Sequence, residues 1–146
     1  MQEGWSPKRI LVPTIGMVAA KHSAKIAFSI ASSGEEEVII PNVVVEDESI
    51  WRYETHIDGF ERLGIAHQIV EELRKLGELN SVITLTDVRV GRDPETVILD
   101  VVTKERVDLI ILGTAIRPGS DRLFLGPGVE RILNNAPCPV IVVNSS

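Results

Sequence analysis

Apolar positions along the chain fall into two signatures. Short runs, rich in β-branched residues and nearly free of polar ones, occur at Ile10-Leu11-Val12, Val38 to Val45, Val107 to Leu112 and Val140 to Val143. A strand buried on both faces of a parallel sheet has this composition. Between the runs, apolar residues recur every three or four positions, the period of a helix with one buried face. Ala20, Ala24, Ala27, Phe28 and Ala31 predict a first helix whose small residues let it lie close to a sheet, closed by Ser32-Ser33-Gly34. Ile65, Ile69, Leu73 and Leu76 predict a second from Phe60 to Leu76, stopped by Gly77. Val97, Ile98, Val101 and Val102 predict a third, opened by Gly91-Arg92-Asp93-Pro94 with Asp93 as cap and Pro94 in the first turn. Val129, Ile132, Leu133 and Ala136 form the apolar face of a fourth.

Two segments depart from this scheme. Val82, Thr84, Thr86, Val88 and Val90 alternate with Ile83, Leu85, Asp87 and Arg89, which predicts a partly exposed strand near a sheet edge. Pro41 lies inside the Val38–Val45 run; because Val43-Val44-Val45 resumes it, a bulge is expected there. Strands alternating with helices imply an α/β fold, a parallel sheet with helices on both faces. Ligands in such sheets bind beyond the carboxyl ends of the strands, where glycine loops and helix starts can cradle phosphate. Gly113 ends one strand and Gly126-Pro127-Gly128-Val129 opens a helix, so both glycines are candidate phosphate contacts; the alternative is that they serve turns alone.

Composition narrows the function. The 146 residues suit one domain, 9–146, preceded by a linker or tail, 1–8. No apolar run reaches the ~18 residues of a membrane span and the N-terminus has no apolar signal core, so no direct membrane insertion is expected. A single cysteine, Cys138, rules out an intramolecular disulfide and fits a cytoplasmic location; it reads as a buried small residue. The net charge of −6 argues against nucleic acid as a partner. His22, His56 and His67 are scattered, with no metal spacing and no nucleophile–base pair, so neither a metal nor a catalytic residue is expected. Glu46-Asp47-Glu48-Ser49 reads as a solvated loop, and Trp51, Tyr53 and His56 as a loop packed on the sheet edge or, alternatively, an aromatic lid.

Arg9-Ile10-Leu11-Val12-Pro13-Thr14, the Asp108-Leu109-Ile110-Ile111-Leu112-Gly113 strand, the turn at Gly126 and Ala136-Pro137-Cys138-Pro139-Val140-Ile141-Val142-Val143 resemble the universal stress protein family over nearly the whole chain. The resemblance implies a five-stranded parallel sheet in the order 3-2-1-4-5, within the wider adenine nucleotide alpha hydrolase-like class. It also implies where adenine nucleotide would bind: Pro13, Thr14, Ile15, Val44, Gly113, Thr114, Ile116, Arg117, Gly126, Pro127, Gly128 and Val129. Nucleotide-binding members carry Asp at the place of Ile15, Gly at that of Ile116, and Ser or Thr at that of Pro127. An aliphatic accepts no hydrogen bond, and proline donates none. Arg117 and Arg122 offset this in part, since a guanidinium can hold phosphate; the alternative is two solvated loop arginines. The Arg117–Gly126 loop also resembles versions of the domain appended to cation/proton exchangers and amino-acid transporters.

The expectation is a non-catalytic cytosolic regulatory module with a remodelled, weak or lost adenine-nucleotide site, serving stress response or a membrane transporter. No cofactor is expected, although ATP or another adenine nucleotide could bind at low affinity. The alternative is an ATP-binding sensor or slow ATPase. A transferase or nucleotide-condensing enzyme lacks support, because no acid–base pair or phosphate loop with lysine is visible. Val140, Ile141, Val142 and Val143 are expected to pair with their own copy in a homodimer, since an apolar edge strand with no charge to protect it needs covering.

Overall fold

The computed structural model describes residues 6–15, 20–31, 34–45, 59–114 and 126–144. Six strands form one sheet: β1 (Arg9–Leu11), β2 (Thr14–Ile15), β3 (Glu37–Val45), β4 (Ile83–Gly91), β5 (Leu109–Thr114) and β6 (Val140–Asn144). Four helices accompany them: α1 (Lys21–Ile30), α2 (Gly59–Leu79), α3 (Pro94–Lys104) and α4 (Gly126–Asn135). Every pairing is parallel, and the strands run β4-β3-β1-β5-β6 with β2 continuing β1 alongside β3. This is the expected 3-2-1-4-5 order, with six strands in place of five because the first is divided.

The division has a cause in two prolines. Residue 9 lies opposite 37 and residue 14 opposite 42, so one register runs through both β1 and β2. The Val12 N–H donates to the Ile39 carbonyl at 2.8 Å, which points the odd-numbered residues of β3 toward β1 and β2. Pro41 is next in that row and has no N–H to give, so the ladder lapses where β1 ends. The expected bulge at Pro41 is absent: β3 pairs with β4 one to one from Glu37 opposite Ile83 to Val45 opposite Gly91. A single missing donor facing an interrupted strand makes a bulge unnecessary.

Both faces of the sheet are covered. Ile10, Val12, Val38, Ile40, Leu109 and Ile111 point toward α1 and α2, where Ala24, Ala27, Phe28, Ile69, Val70 and Leu73 meet them. Leu11, Ile39, Val43, Ile110 and Leu112 point the other way, against Ile98, Val101 and Val102 of α3 and Ile132 of α4. Leu133, expected on the buried face of α4, is instead 38% exposed; Ile132 and half-buried Val129 make the contact. Cys138 is half-buried against the same core, and burial, then the charge of Asp108, raises its thiol pKa.

Gly77 does not stop α2, which runs through it to Leu79. A side chain there would overlap the Thr84 Oγ1 on β4 and approach the Phe28 ring to 3.1 Å. Gly77 therefore lets α2 lie close against β4 and α1, and the chain turns only at Ser81, with φ +58°. β4 is an edge strand as predicted, with Ile83 51% and Leu85 45% exposed and an Asp87–Arg89 ion pair along it.

Candidate functional site

In the order β4-β3-β1-β5-β6 the chain moves from β1 to one side, through β3 and β4, then returns to build β5 and β6 on the other. The switch between directions falls between β1 and β5, the position where a crevice opens in such sheets. Pairing between these strands ends at Leu11 opposite Ile110. Pro13, two residues on in the row facing β5, has no N–H to extend it. Past that point β2 follows β3 and β5 follows β6, so the carboxyl ends part.

The crevice gathers several of the expected residues. Pro13, Thr14 and Ile15 form one lip; Thr14 is buried and donates its hydroxyl to the Pro41 carbonyl at 3.4 Å, while Ile15 is 41% exposed. Gly113 and Thr114 end β5 on the other lip, with Gly113 exposed. Gly126 and Pro127 begin α4, followed by Gly128 and half-buried Val129. Val44 is buried and lies in the β3 row of Val38 and Ile40, which faces α1 and α2. Ile116, Arg117 and Arg122 lie outside the described residues, as do Glu46-Asp47-Glu48-Ser49 and the Trp51–His56 stretch. Among the described residues no group of His, Cys, Asp and Glu could hold a metal, and no described helix is long and apolar enough to cross a membrane.

One wall of the site was not foreseen. Gly91-Arg92-Asp93-Pro94 opens α3 as read, with Pro94 in the first turn, but the Asp93 side chain does not cap a backbone N–H. Its carboxylate takes the Thr96 hydroxyl at 2.6 Å and, from α4, the guanidinium of Arg131, which also reaches the Thr96 hydroxyl at 2.9 Å. Glu95 completes the group. Its carboxyl lies against Gly128, so close that a methyl group at 128 would overlap Oε1. A hydrogen bond between Glu95 and Asp93 is the largest influence on both: it raises the pKa of Glu95, with burial adding to it. The same bond, then Thr96 and Arg131, holds Asp93 well below the usual carboxylate range. The two carboxyl groups therefore lose their protons in separate steps, Asp93 before Glu95 as pH rises. Sequence spacing gave no sign of this, because Arg131 lies 38 residues from Asp93 and only the packing of α3 on α4 joins them.

A second cleft, of about 540 Å³, opens at the opposite end of the strands, lined by Lys8, Arg9, Lys104, Arg106 and Asp108. Its cations are largely engaged: Lys8 with Glu35 at 3.4 Å, Arg9 with Glu37 at 3.6 Å and Lys104 with Asp100 at 3.1 Å. Exposed pairs of this kind are worth little, and the cleft has the character of a solvated surface.

Known proteins agree with this architecture. Residues 7–144 match the model of the universal stress protein family. Universal stress protein MJ0531 of Methanocaldococcus jannaschii is 30% identical over 143 residues, which span 93% of this chain and 81% of that protein. Among solved structures, the universal stress protein UspA from Lactobacillus plantarum superposes with a TM-score of 0.76 at 21% identity, over 96% of this chain and 99% of that one. A universal stress protein family member from Arabidopsis thaliana, solved with AMP bound, superposes with a TM-score of 0.67 at 15% identity, over 96% of this chain and 93% of that one. Fold, strand order and sequence converge: the chain belongs to the universal stress protein family.

Proposed function

We propose that the protein is a non-catalytic regulatory module that responds to adenine nucleotide through a weakened site in the crevice between β1 and β5. The observation that carries this reading is the exposed Ile15 on the lip of that crevice, where a hydrogen-bonding residue would grip the nucleoside. Pro127 at the start of α4 removes a backbone donor from the phosphate end as well. The open strand ends, Gly113 and the glycines of α4 still provide close backbone approach, and a relative of the same fold is known with AMP bound. Two lost hydrogen bonds to a charged group, at ~1.5–3 kcal/mol each, weaken binding by roughly two to four decades. The output is a contact with a partner, a stress-response protein or a transporter, that changes with occupancy.

Calorimetric titration with AMP and ATP, with and without Mg²⁺, tests the reading. The expected result is reversible binding weaker than about 10 μM, without turnover above background. Purified protein that releases one ATP per chain on denaturation would overturn the weakened site. Magnesium-dependent hydrolysis lost on mutating the Gly126–Val129 segment would favour the slow-ATPase alternative instead.

A further inference from the structure

We propose that the start of α1 is a second anion site, one that holds the phosphate group of a small ligand on the side of the sheet covered by α1 and α2. The site goes beyond the nucleotide reading above, whose phosphate end lies at α4 against the other side of the sheet.

Several local features at this helix start run against the stability of the helix alone. The N-cap is Ala20, whose methyl group accepts nothing, and no side-chain cap bond forms. The Ala24 N–H reaches the Ala20 carbonyl at 2.9 Å, so the N–H groups of Lys21, His22 and Ser23 before it have no acceptor within the helix. Lys21, His22 and Lys25 are exposed, with no acidic residue in the first turn and no ion pair to any of them among the described residues. Cations at the positive end of a helix dipole are unfavourable, and the two lysines, four residues apart, repel each other. An anion seated there turns each of these features from a cost into a contact.

Ser23 is the independent sign of a ligand. It is 1% exposed, and its hydroxyl has no hydrogen-bond partner. A buried hydroxyl without a partner is destabilising, and alanine would fill the place as it does at Ala24 and Ala27 on the same buried face. Side chains on a helix tilt toward its N-terminus, which aims this hydroxyl at the free N–H groups of its own first turn. α1 follows β2 and leads back to the start of β3, so that turn stands at the carboxyl end of the sheet, where ligands enter. Two lysines, a hydroxyl and three backbone N–H groups are a set of donors, matched to the acceptor oxygens of a phosphate.

NMR titration of the whole chain with inorganic phosphate, AMP and adenosine at constant ionic strength tests the site. Phosphate and AMP are expected to shift the backbone amide signals of Lys21, His22 and Ser23, and adenosine to leave them in place. Tighter binding of AMP than of phosphate at these signals assigns the site to a phosphate ester, and equal binding assigns it to the free anion. Ser23→Ala should keep the fold and lower phosphate affinity by roughly tenfold, the worth of one hydrogen bond to a charged group. Ala20→Asp places a capping carboxylate where the anion would sit; it should raise the urea midpoint yet weaken phosphate binding by roughly tenfold or more. First-turn signals that move with neither phosphate nor AMP overturn the site. So does phosphate affinity equal to wild type in both Ser23→Ala and Ala20→Asp. The signals of Ile15, Gly128 and Val129 report separately on the crevice: AMP that shifts none of them removes the nucleotide reading, while phosphate at the first turn still decides the α1 site.

Discussion

Asn42 is fully buried on β3, and neither its amide oxygen nor its nitrogen has a hydrogen-bond partner among the described residues. Leaving such a group unpaired costs about 1–3 kcal/mol, whereas an apolar group of similar shape costs nothing comparable. Asn42→Leu is accordingly expected to stabilise the fold by about 1–2 kcal/mol, seen as a higher urea midpoint at unchanged m-value. A lower midpoint would mean that a polar group reaches the amide in solution and that Asn42 is already satisfied. Single residues were the least legible scale in the sequence. Ile15 stands exposed at the end of β2, Val44 is buried in β3, and Asp93 leaves its expected cap for Arg131. These outcomes depend on which side of a strand a residue occupies and on which helix packs opposite. Neither is encoded in local spacing.

Elements were far more legible, because hydrophobic period reports directly on which face is buried. The four helices and the edge character of β4 follow from it. The errors come from glycine and proline, whose local meaning depends on the neighbour. Gly77 reads as a stop and is instead a packing position under Thr84 and Phe28. Adding a methyl group gains helix propensity of about 1 kcal/mol but forces an overlap with a Thr84 hydroxyl that bonds the Val82 carbonyl at 3.1 Å. Overpacking of this kind costs about 1–3 kcal/mol, so Gly77→Ala should be net destabilising by roughly 1 kcal/mol. Combined with Thr84→Ala the loss should largely vanish, a coupling that a double-mutant cycle of thermal melts measures directly. Additive losses would show that Gly77 is not a contact point between α2 and β4.

For the whole molecule the open question is how the sheet ends. β4 guards its long edge with Asp87 and Arg89. β6 has no charged residue, and Ile141 on it and Leu133 on the neighbouring α4 are each 38% exposed. A free apolar edge is a template for another strand, and pairing with a second copy about a two-fold axis would close it. We expect a homodimer through Val140–Val143, and Ile141→Lys, on the exposed side chain, should give soluble monomer by light scattering at micromolar concentration. Wild-type protein that is monomeric at high concentration, or a dimer indifferent to Ile141→Lys, would rule this interface out.

The two prolines of the central ladder have an energetic consequence for any visitor to the crevice. Pro41 interrupts the β3 side by one donor before β2 resumes the pairing, whereas past Pro13 the middle strand has no pairing with β5, so the sheet is already open on that side just where the lips diverge. A molecule entering there need not break backbone hydrogen bonds to make room. Its affinity carries no surcharge for opening the sheet, and its arrival and departure can be fast even while the strands on either side stay locked in register.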